Sequence, residues 1–563
     1  MNRSNAMLPA AYMPQDRRRA LDAGLTLPEW AWGTVLFADI SGFTRLSEAL
    51  ARTHGLRRGA ETLTRLLNHL YEALIASVES HGGSVIGFSG DAITCWFARE
   101  SPGEDIPSSD APARAAATAA AMQQTLRAFD ASDMPVTDAF APQFGSLAVK
   151  IAIATGRVRR CVVGNPDIQL MDVLAGAVVD RLTSGEEMAA PGETLVDAET
   201  FCALAATIDA TNSTKGDGSV SEVLWRTKDS VRFAVLESNA ADFASASPPL
   251  LLPTVEATQW IHPAVAQLIA GGQARFLAEL RPATALFVRF AGVNFESDVA
   301  APETLDRYMR WVQQTIQRYD GLLVQLTIGD KGSYFYVAFG APLAHGDDSA
   351  RAAAAALDLL RPPPSLAQIS PLAMGISSGI MRIGAYGGPT RCTYGVLGDE
   401  VNVAARLMTM AAPSEILVTG QVANALGSTM ALQPLGARSI KGKSAPVPVF
   451  ALLERSAQPA TALMELYGEP LHGREVELAP MLHALAQWAA RCHAIPDSDH
   501  RTPAGPLLII EGTAGIGKSH MAASLVQRTV ALGVNHVHAA CQSTARAIPF
   551  FAIRQVMRAI LQL

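Results

Sequence analysis

The stretch that most constrains this chain is Thr34 to Thr44, TVLFADISGFT. From Thr34 to Ile40 it is β-branched or apolar except at Asp39, the composition of a buried strand. A carboxylate at the end of such a strand is costly unless something compensates it, and a bound cation does so most simply. The turn Ser41-Gly42-Phe43 then leads into an amphipathic segment, so its N–H groups can face a phosphate while Asp39 holds a metal beside it. On this stretch alone, an Asp that merely caps the next helix explains the residue equally well. Asp91 shifts the balance. Val85 to Trp96 reads as a hairpin whose apolar arms flank Ser89-Gly90-Asp91, and its tip brings Asp91 towards Asp39.

The rest of the first third alternates helix and strand patterns. Leu63, Leu66, Leu67, Leu70, Tyr71, Leu74 and Val78 form the apolar stripe of a helix. An alanine-rich helix is predicted from Ala111 to Phe129, a strand over Val149 to Ala154 ending at Gly156, and a further strand near Cys161. This β-α-β-β-α-β order is that of a ferredoxin-like α+β unit. Ala240 to Pro253, rich in Ala, Ser and Pro, reads as linker.

Beyond it the pattern starts again. Ala285 to Gly292 repeats the first strand and turn, with Arg289 where Asp39 stood. Gly329-Asp330-Lys331-Gly332 repeats the hairpin tip, and Met374 to Gly379 repeats the strand near Ile151. The second copy is therefore not expected to hold metal as the first does. It carries Asn402 and Arg406 instead, four residues apart and so on one helix face. Aligned on the preceding glycines, Asp180 and Ser184 occupy those positions in the first copy. The two copies are complementary. The expected boundaries are 30–238 and 281–455 for the copies, 239–280 for the linker, and 465–563 for a third region.

FADISGF followed by FSGDA resembles the class III nucleotide cyclase catalytic domain, and the tandem copies with a third region resemble the bicarbonate-responsive soluble adenylyl cyclases. The resemblance implies two ferredoxin-like domains packed head to tail as a pseudo-dimer, one complete site between them, and conversion of ATP to cyclic AMP. It further implies that Asp39, Asp91 and the Ile40 carbonyl hold two Mg²⁺ or Mn²⁺ ions, and that Ser41, Gly42, Phe43 and Thr44 bind phosphates. Asn402 would orient the ribose and Arg406 stabilise the transition state. Lys331 matches the lysine that reads adenine, its donor-only ammonium suiting a ring-nitrogen acceptor. Lys441 matches a triphosphate contact. Two positions depart from the pattern: Gly395 stands where a second base contact is usual, and Gly87 replaces a lysine associated with bicarbonate response. Guanylyl cyclase activity, and a catalytically silent nucleotide sensor controlling an attached ATPase, remain open as alternatives.

In the third region Leu507 to Ile510 reads as a buried strand before Gly512-Thr513-Ala514-Gly515-Ile516-Gly517-Lys518-Ser519, a P-loop opening a helix. Its glycines free N–H groups to cradle phosphates, Lys518 neutralises them and Ser519 can ligate Mg²⁺, so ATP with Mg²⁺ is a candidate ligand. No apolar strand ending in an acid follows before Leu563, so ATP hydrolysis by this module is not expected.

Composition narrows the class. With 17% charged and 49% hydrophobic residues the chain is globular rather than disordered. A net charge of −7 leaves no electrostatic footprint for nucleic acid. No apolar run is long enough for a membrane span. Six cysteines without CxxC spacing suggest neither zinc site nor disulfide framework and fit a reducing cytoplasm. The paired copies need no second chain to complete a site, which leaves oligomerisation open.

Overall fold

The computed structural model describes residues 9–42, 65–99, 111–128, 147–212, 224–236 except 229, 257–270, 279–329, 333–369, 372–455 except 442 and 444, 473–493, 507–512 and 517–532, with a few single positions besides. The chain divides into two compact units, Met1–Ala423 with Pro434–Leu452, and Asn424–Gln433 with Leu453–Leu563. The first copy and most of the second lie in the first unit.

Each copy is built on one mixed sheet. In the first, β1 (Trp30–Ser41), β2 (Ser84–Ser89), β3 (Ala92–Ala98), β4 (Ala148–Val163), β5 (Met171–Ala175), β6 (Thr194–Asp197), β7 (Trp225–Lys228) and β8 (Val231–Val235) run in the order β2-β3-β1-β4-β6-β8-β7, with β5 pairing β4. In the second, β9 (Glu279–Phe290), β10 (Leu322–Thr327), β11 (Ser333–Phe339), β12 (Ala373–Gly387), β13 (Cys392–Leu397), β14 (Ile416–Thr419), β15 (Met430–Arg438) and β16 (Val447–Arg455) repeat that order strand for strand. The expected duplication of an α+β unit is thus observed. One difference is that the strands expected at Ile151 and Cys161 are a single strand, β4. Twelve residues of β1 pair along β4 from Ser41↔Ala148 to Trp30↔Arg159, and the continuous ladder carries it past Gly156.

Helices cover the sheets. On the first copy lie residues 65–80, Ala111–Ala128 and Ala177–Met188; Leu67, Leu70, Tyr71, Leu74 and Val78 enter a core with Leu36, Ile93 and Ile153. On the second, Ala301–Gln317 buries Leu305, Tyr308, Met309, Val312 and Ile316 at helical spacing. An N-terminal strap, Pro9–Tyr12 and Gln15–Asp22, precedes the first sheet. Its Arg17 and Asp16 join Arg160 and Asp172 in a buried ion cluster. Burial alone pushes the Asp16 carboxyl up, but the Arg160 charge and hydrogen bond outweigh it and hold the group at about 2. Part of the span between the copies is ordered: Pro263–Ala270 is a helix whose Val265 packs with Ala11, Tyr12 and Ala283.

The helix Asp399–Met410 is seated on β12 by close backbone approach. A Cβ on Gly375 would lie 2.2 Å from the Ala404 carbonyl and 2.4 Å from the Met408 nitrogen. In the first copy the small residue is on the helix instead: Gly185 meets Ala152 and Phe233, where the second copy pairs Leu407 with Gly375. The reciprocal exchange keeps the helix-to-sheet distance. Gly375→Ala should therefore destabilise the chain by about 3 kcal/mol, the upper range for overpacking, read as a lowered urea midpoint with unchanged slope.

Candidate active site

The two acids come together at the end of β1. Asp39 sits opposite Ala92 on β3 and opposite Lys150 on β4, while the Ile40 N–H donates to the Asp91 carbonyl across 3.3 Å. Gly90 and Asp91 form the two-residue hairpin tip, and Gly90 takes φ +66°, a conformation that favours glycine. The tip is held from beneath, where the Tyr71 hydroxyl donates to the Gly90 carbonyl at 2.9 Å.

Their electrostatics are those of a site short of positive charge. Burial, then the neighbouring Asp39, push the Asp91 carboxyl up to about 7. Burial likewise raises Asp39, opposed by Lys150. A third carboxylate, Glu186 on the helix Ala177–Met188, is raised by burial and by Asp39, and stands 3.7 Å from the Lys150 ammonium. Among the described residues, Lys150 opposes the rise at Asp39 and, with Lys228, the rise at Glu186. Hard oxygen donors with excess negative charge suit Mg²⁺ or Mn²⁺, so Asp39, Asp91 and the Ile40 carbonyl fit the divalent ions expected there. Glu186 and Lys150 were missed from sequence. The signal was the register: only the β1–β4 ladder places Lys150 across from Asp39.

The second copy carries the other expected residues. Asn402, exposed, and Arg406, half-buried, occur on the helix Asp399–Met410 one turn apart. Gly395 lies on β13, where an added Cβ would be 3.2 Å from the Tyr386 ring. Tyr386 in turn packs on Phe88 and Tyr71 of the first copy, with centroids 5.7 Å apart in both cases. One run of aromatic rings thus leads from Gly395 to the Gly90-Asp91 tip. Ser41 closes β1, and Gly42 turns the chain at φ +100°. Phe43, Thr44 and Lys331 lie outside the described residues. Lys441 is exposed at a turn, whereas Lys443 bonds Glu400 and Asp399 at the start of the helix.

The family model described as the adenylate and guanylate cyclase catalytic domain matches twice, over residues 31–229 and 286–453. The chain belongs to this family. Among known proteins the chain is 23% identical over 536 residues to adenylate cyclase type 10 of Oryctolagus cuniculus, covering 90% of this chain and 31% of that protein. It is 27% identical over 194 residues to adenylate cyclase 1 of Rhizobium meliloti (strain 1021), covering 32% of this chain and 28% of that protein. The chain spans about a third of the length of the type 10 relatives it matches. A solved class III adenylyl cyclase-like ATP-binding protein from Pseudomonas aeruginosa overlays with a TM-score of 0.45 at 12% identity, over 70% of this chain and 85% of that one.

The second copy does not repeat the acidic pair. The β9–β12 ladder sets Arg289 opposite Ala373 where the first copy sets Asp39 opposite Lys150, so the acid and its lysine are both replaced. Tyr334 pairs Arg289 as Ala92 pairs Asp39, which leaves Ser333 in the place of Asp91. Across from Arg289, the N-terminus of the helix Ala177–Met188 is occupied: the Ala177 N–H donates to the Glu296 carboxylate of the second copy at 2.6 Å. Further along the same helix a cavity of about 560 Å³ is lined by Phe88, Leu174, Leu182, Arg289 and Ile328 among others.

In the second compact unit the helix Lys518–Ala531 follows Gly517, which takes φ +98°, and the Lys518 ammonium reaches the Gly512 carbonyl at 2.9 Å. Ser519 is the second residue of that helix. The buried strand expected at Leu507 to Ile510 is not observed. Leu507 and Ile509 are exposed, and no strand occurs among the described residues beyond 470 to bury them.

The acidic pair sets a pH-dependent stability for the metal-free chain. Unfolded carboxyls ionise near pH 4, while folded Asp91 holds its proton to about 7. The folded state binds the extra proton between these values, so stability falls as pH rises across that window. Asp39→Asn removes the charge that repels Asp91. In chelator at pH 8 it should stabilise the chain by about 1 kcal/mol, the gain vanishing below pH 4, and added Mn²⁺ should no longer raise its melting temperature.

Proposed function

We propose that the chain is an adenylyl cyclase that converts ATP to cyclic AMP and pyrophosphate at a site shared by its two copies, 30–238 and 281–455, joined by 239–280. The observation that carries this reading is the complementary division of groups: Asp39 and Asp91 against Arg289 and Ser333, and Asn402 and Arg406 against Asp180 and Ser184. A pair of structural domains has no reason to divide its polar groups this way.

Asp39, Asp91 and the Ile40 carbonyl would hold two Mg²⁺ or Mn²⁺ ions, which when bound neutralise the triphosphate and lower the pKa of the ribose 3′-hydroxyl. The chain's own groups do the rest. Ser41 to Thr44 present N–H groups to the β- and γ-phosphates, and Asn402 orients the ribose. Its 3′-oxygen, relieved of its proton, attacks the α-phosphorus in line, and pyrophosphate leaves. Arg406 stabilises the charge developing on the α-phosphate, where one positioned donor contributes about 3 kcal/mol. Lys331 reads the adenine beside Gly395, and Lys441 contacts the triphosphate. Lys443 braces the helix that presents Asn402 and Arg406, through Asp399 and Glu400. Residues 465–563 form the start of a P-loop domain in which Gly512, Gly517, Lys518 and Ser519 bind ATP with Mg²⁺.

Purified chain given ATP and Mn²⁺ should form cyclic AMP, and Asp39→Ala and Arg406→Ala should each lower turnover at least about a hundredfold with the fold intact. Wild-type turnover in either variant rejects the assignment. GTP outcompeting ATP as substrate identifies a guanylyl cyclase, which a glycine at 395 permits. Metal-dependent ATP binding that never yields product identifies a silent sensor.

A further inference from the structure

We propose that Arg391 is a positioning residue of the metal site, fastening the strand that leads into Asp91 to the second copy, so that the two acids are aligned only while the copies are docked. This rests on the reading of Asp39 and Asp91 as holders of a divalent ion. Arg391 lies in the turn between β12 and β13 and reaches into the first copy. Its Nε donates to the Val85 carbonyl and its Nη2 to the Ile86 carbonyl, both at 2.8 Å. Nη1 donates to the carbonyls of Tyr12 at 3.0 Å, Ala11 at 3.4 Å and Cys392 at 2.8 Å.

Those acceptors are where the hairpin is weakest. β2 is the edge of its sheet, and its ladder with β3 slips between Val85 and Gly87, so that Ile86 is an extra residue. A bulged edge strand has carbonyls without ladder partners and bends easily. The guanidinium satisfies two of them in one plane, which an ammonium cannot do. It also covers the Phe88 ring, 5.2 Å from its centroid, and Phe88 is three residues before Asp91. Strap, second copy and metal hairpin meet at this one side chain.

The arrangement is not a general feature of the fold. The second hairpin has the same slip, between Leu323 and Gln325, but the first-copy residue that matches Arg391 in the β5 register is Gln169, which is uncharged. Only the hairpin that carries the acid has the arginine. Arg391 is fully buried and its hydrogen bonds run to main-chain carbonyls, with burial drawing its pKa down to about 10. Such a charge is a poor way to gain stability, and its use is in the geometry it imposes.

The test compares two buried arginines that both tie the copies together. Arg391→Met in the full chain should weaken Mn²⁺ binding, titrated without nucleotide, by at least about tenfold, with kcat falling more than KM for ATP rises. Arg391→Lys should recover only part of the affinity. Arg159→Met breaks a comparable tie, to the carbonyls of Phe295, Asp298 and Val299, away from the hairpin. It should lower the melting temperature and leave Mn²⁺ affinity at the wild-type value. Wild-type Mn²⁺ affinity in a folded Arg391→Met chain overturns the proposal, as does equal loss in Arg159→Met. Should Arg391→Met fail to fold, Arg391→Lys is judged by the same criterion. If Mn²⁺ binding to the wild-type chain survives Asp39→Ala, the metal site itself is misplaced and the proposal falls with it; if Asp39→Ala abolishes binding while Arg391 variants keep it, only the role of Arg391 falls.

Discussion

Two carboxylates held side by side at the end of a buried strand repel each other, and most of the first copy is arranged so that they cannot separate. Asp39 lies in the middle of the sheet, with β3 on one side and β4 on the other, and Asp91 follows from the ladder one residue on. Neither acid can move without breaking register, and a slip of one residue would turn Asp39 to the opposite face. The raised affinity of Asp91 for its proton measures the unrelieved strain. Lys150 favours charge on Asp39 and on Glu186, whereas Glu186 adds to the repulsion at Asp91.

The same demand explains why polar ties join the copies where an apolar seam would have sufficed for adhesion. Aromatic packing of Tyr386 on Phe88 and Tyr71 brings the surfaces together, but rings slide at little cost. Arg159 and Arg391 fix the offset, because each spreads several directed bonds over main-chain carbonyls of the other copy. Further bonds run from the Gly164 N–H to Asp306 and from Gln313 to the Gln169 carbonyl. A site divided between two domains needs a fixed offset more than it needs adhesion, since misplacing a reacting group by one ångström costs far more in rate than in stability.

What could be read from the sequence was whatever is local or repeated. The first strand, the Asp91 hairpin, the helix stripe and the second copy follow from period and spacing, and the substitution of Arg289 for Asp39 was visible by aligning the repeats. Register was not visible. Lys150 is far from Asp39 in sequence, and nothing in Val149 to Ala154 says which residue meets the acid. Lys441 and Lys443 are two residues apart in one turn, and only the fold shows that Lys443 is the one engaged with the helix. Arg391 sits in a turn whose local sequence carries no sign of its reach, because its acceptors are main-chain carbonyls, which any residue could offer. The expected strand at Leu507 failed for the converse reason: an apolar run specifies a strand only where a sheet exists to receive it, and none occurs among the described residues around it.

The two copies differ least in their sheets and most around the acids, and the pattern of difference has a physical order. A buried acidic pair is unfavourable unless a cation fills it, and a copy without the pair is relieved of that cost. Once Asp39's counterpart is an arginine, a lysine across the ladder would be a like charge directly opposite, and Ala373 is found there. At the N-terminus of the helix Ala177–Met188, Glu296 supplies the negative charge that the N–H groups and helix dipole favour. Arg391 fits the same sequence of dependence. A guanidinium buried against bare carbonyls occurs on the side where the hairpin carries an acid, and on the other side a glutamine stands at the matching position.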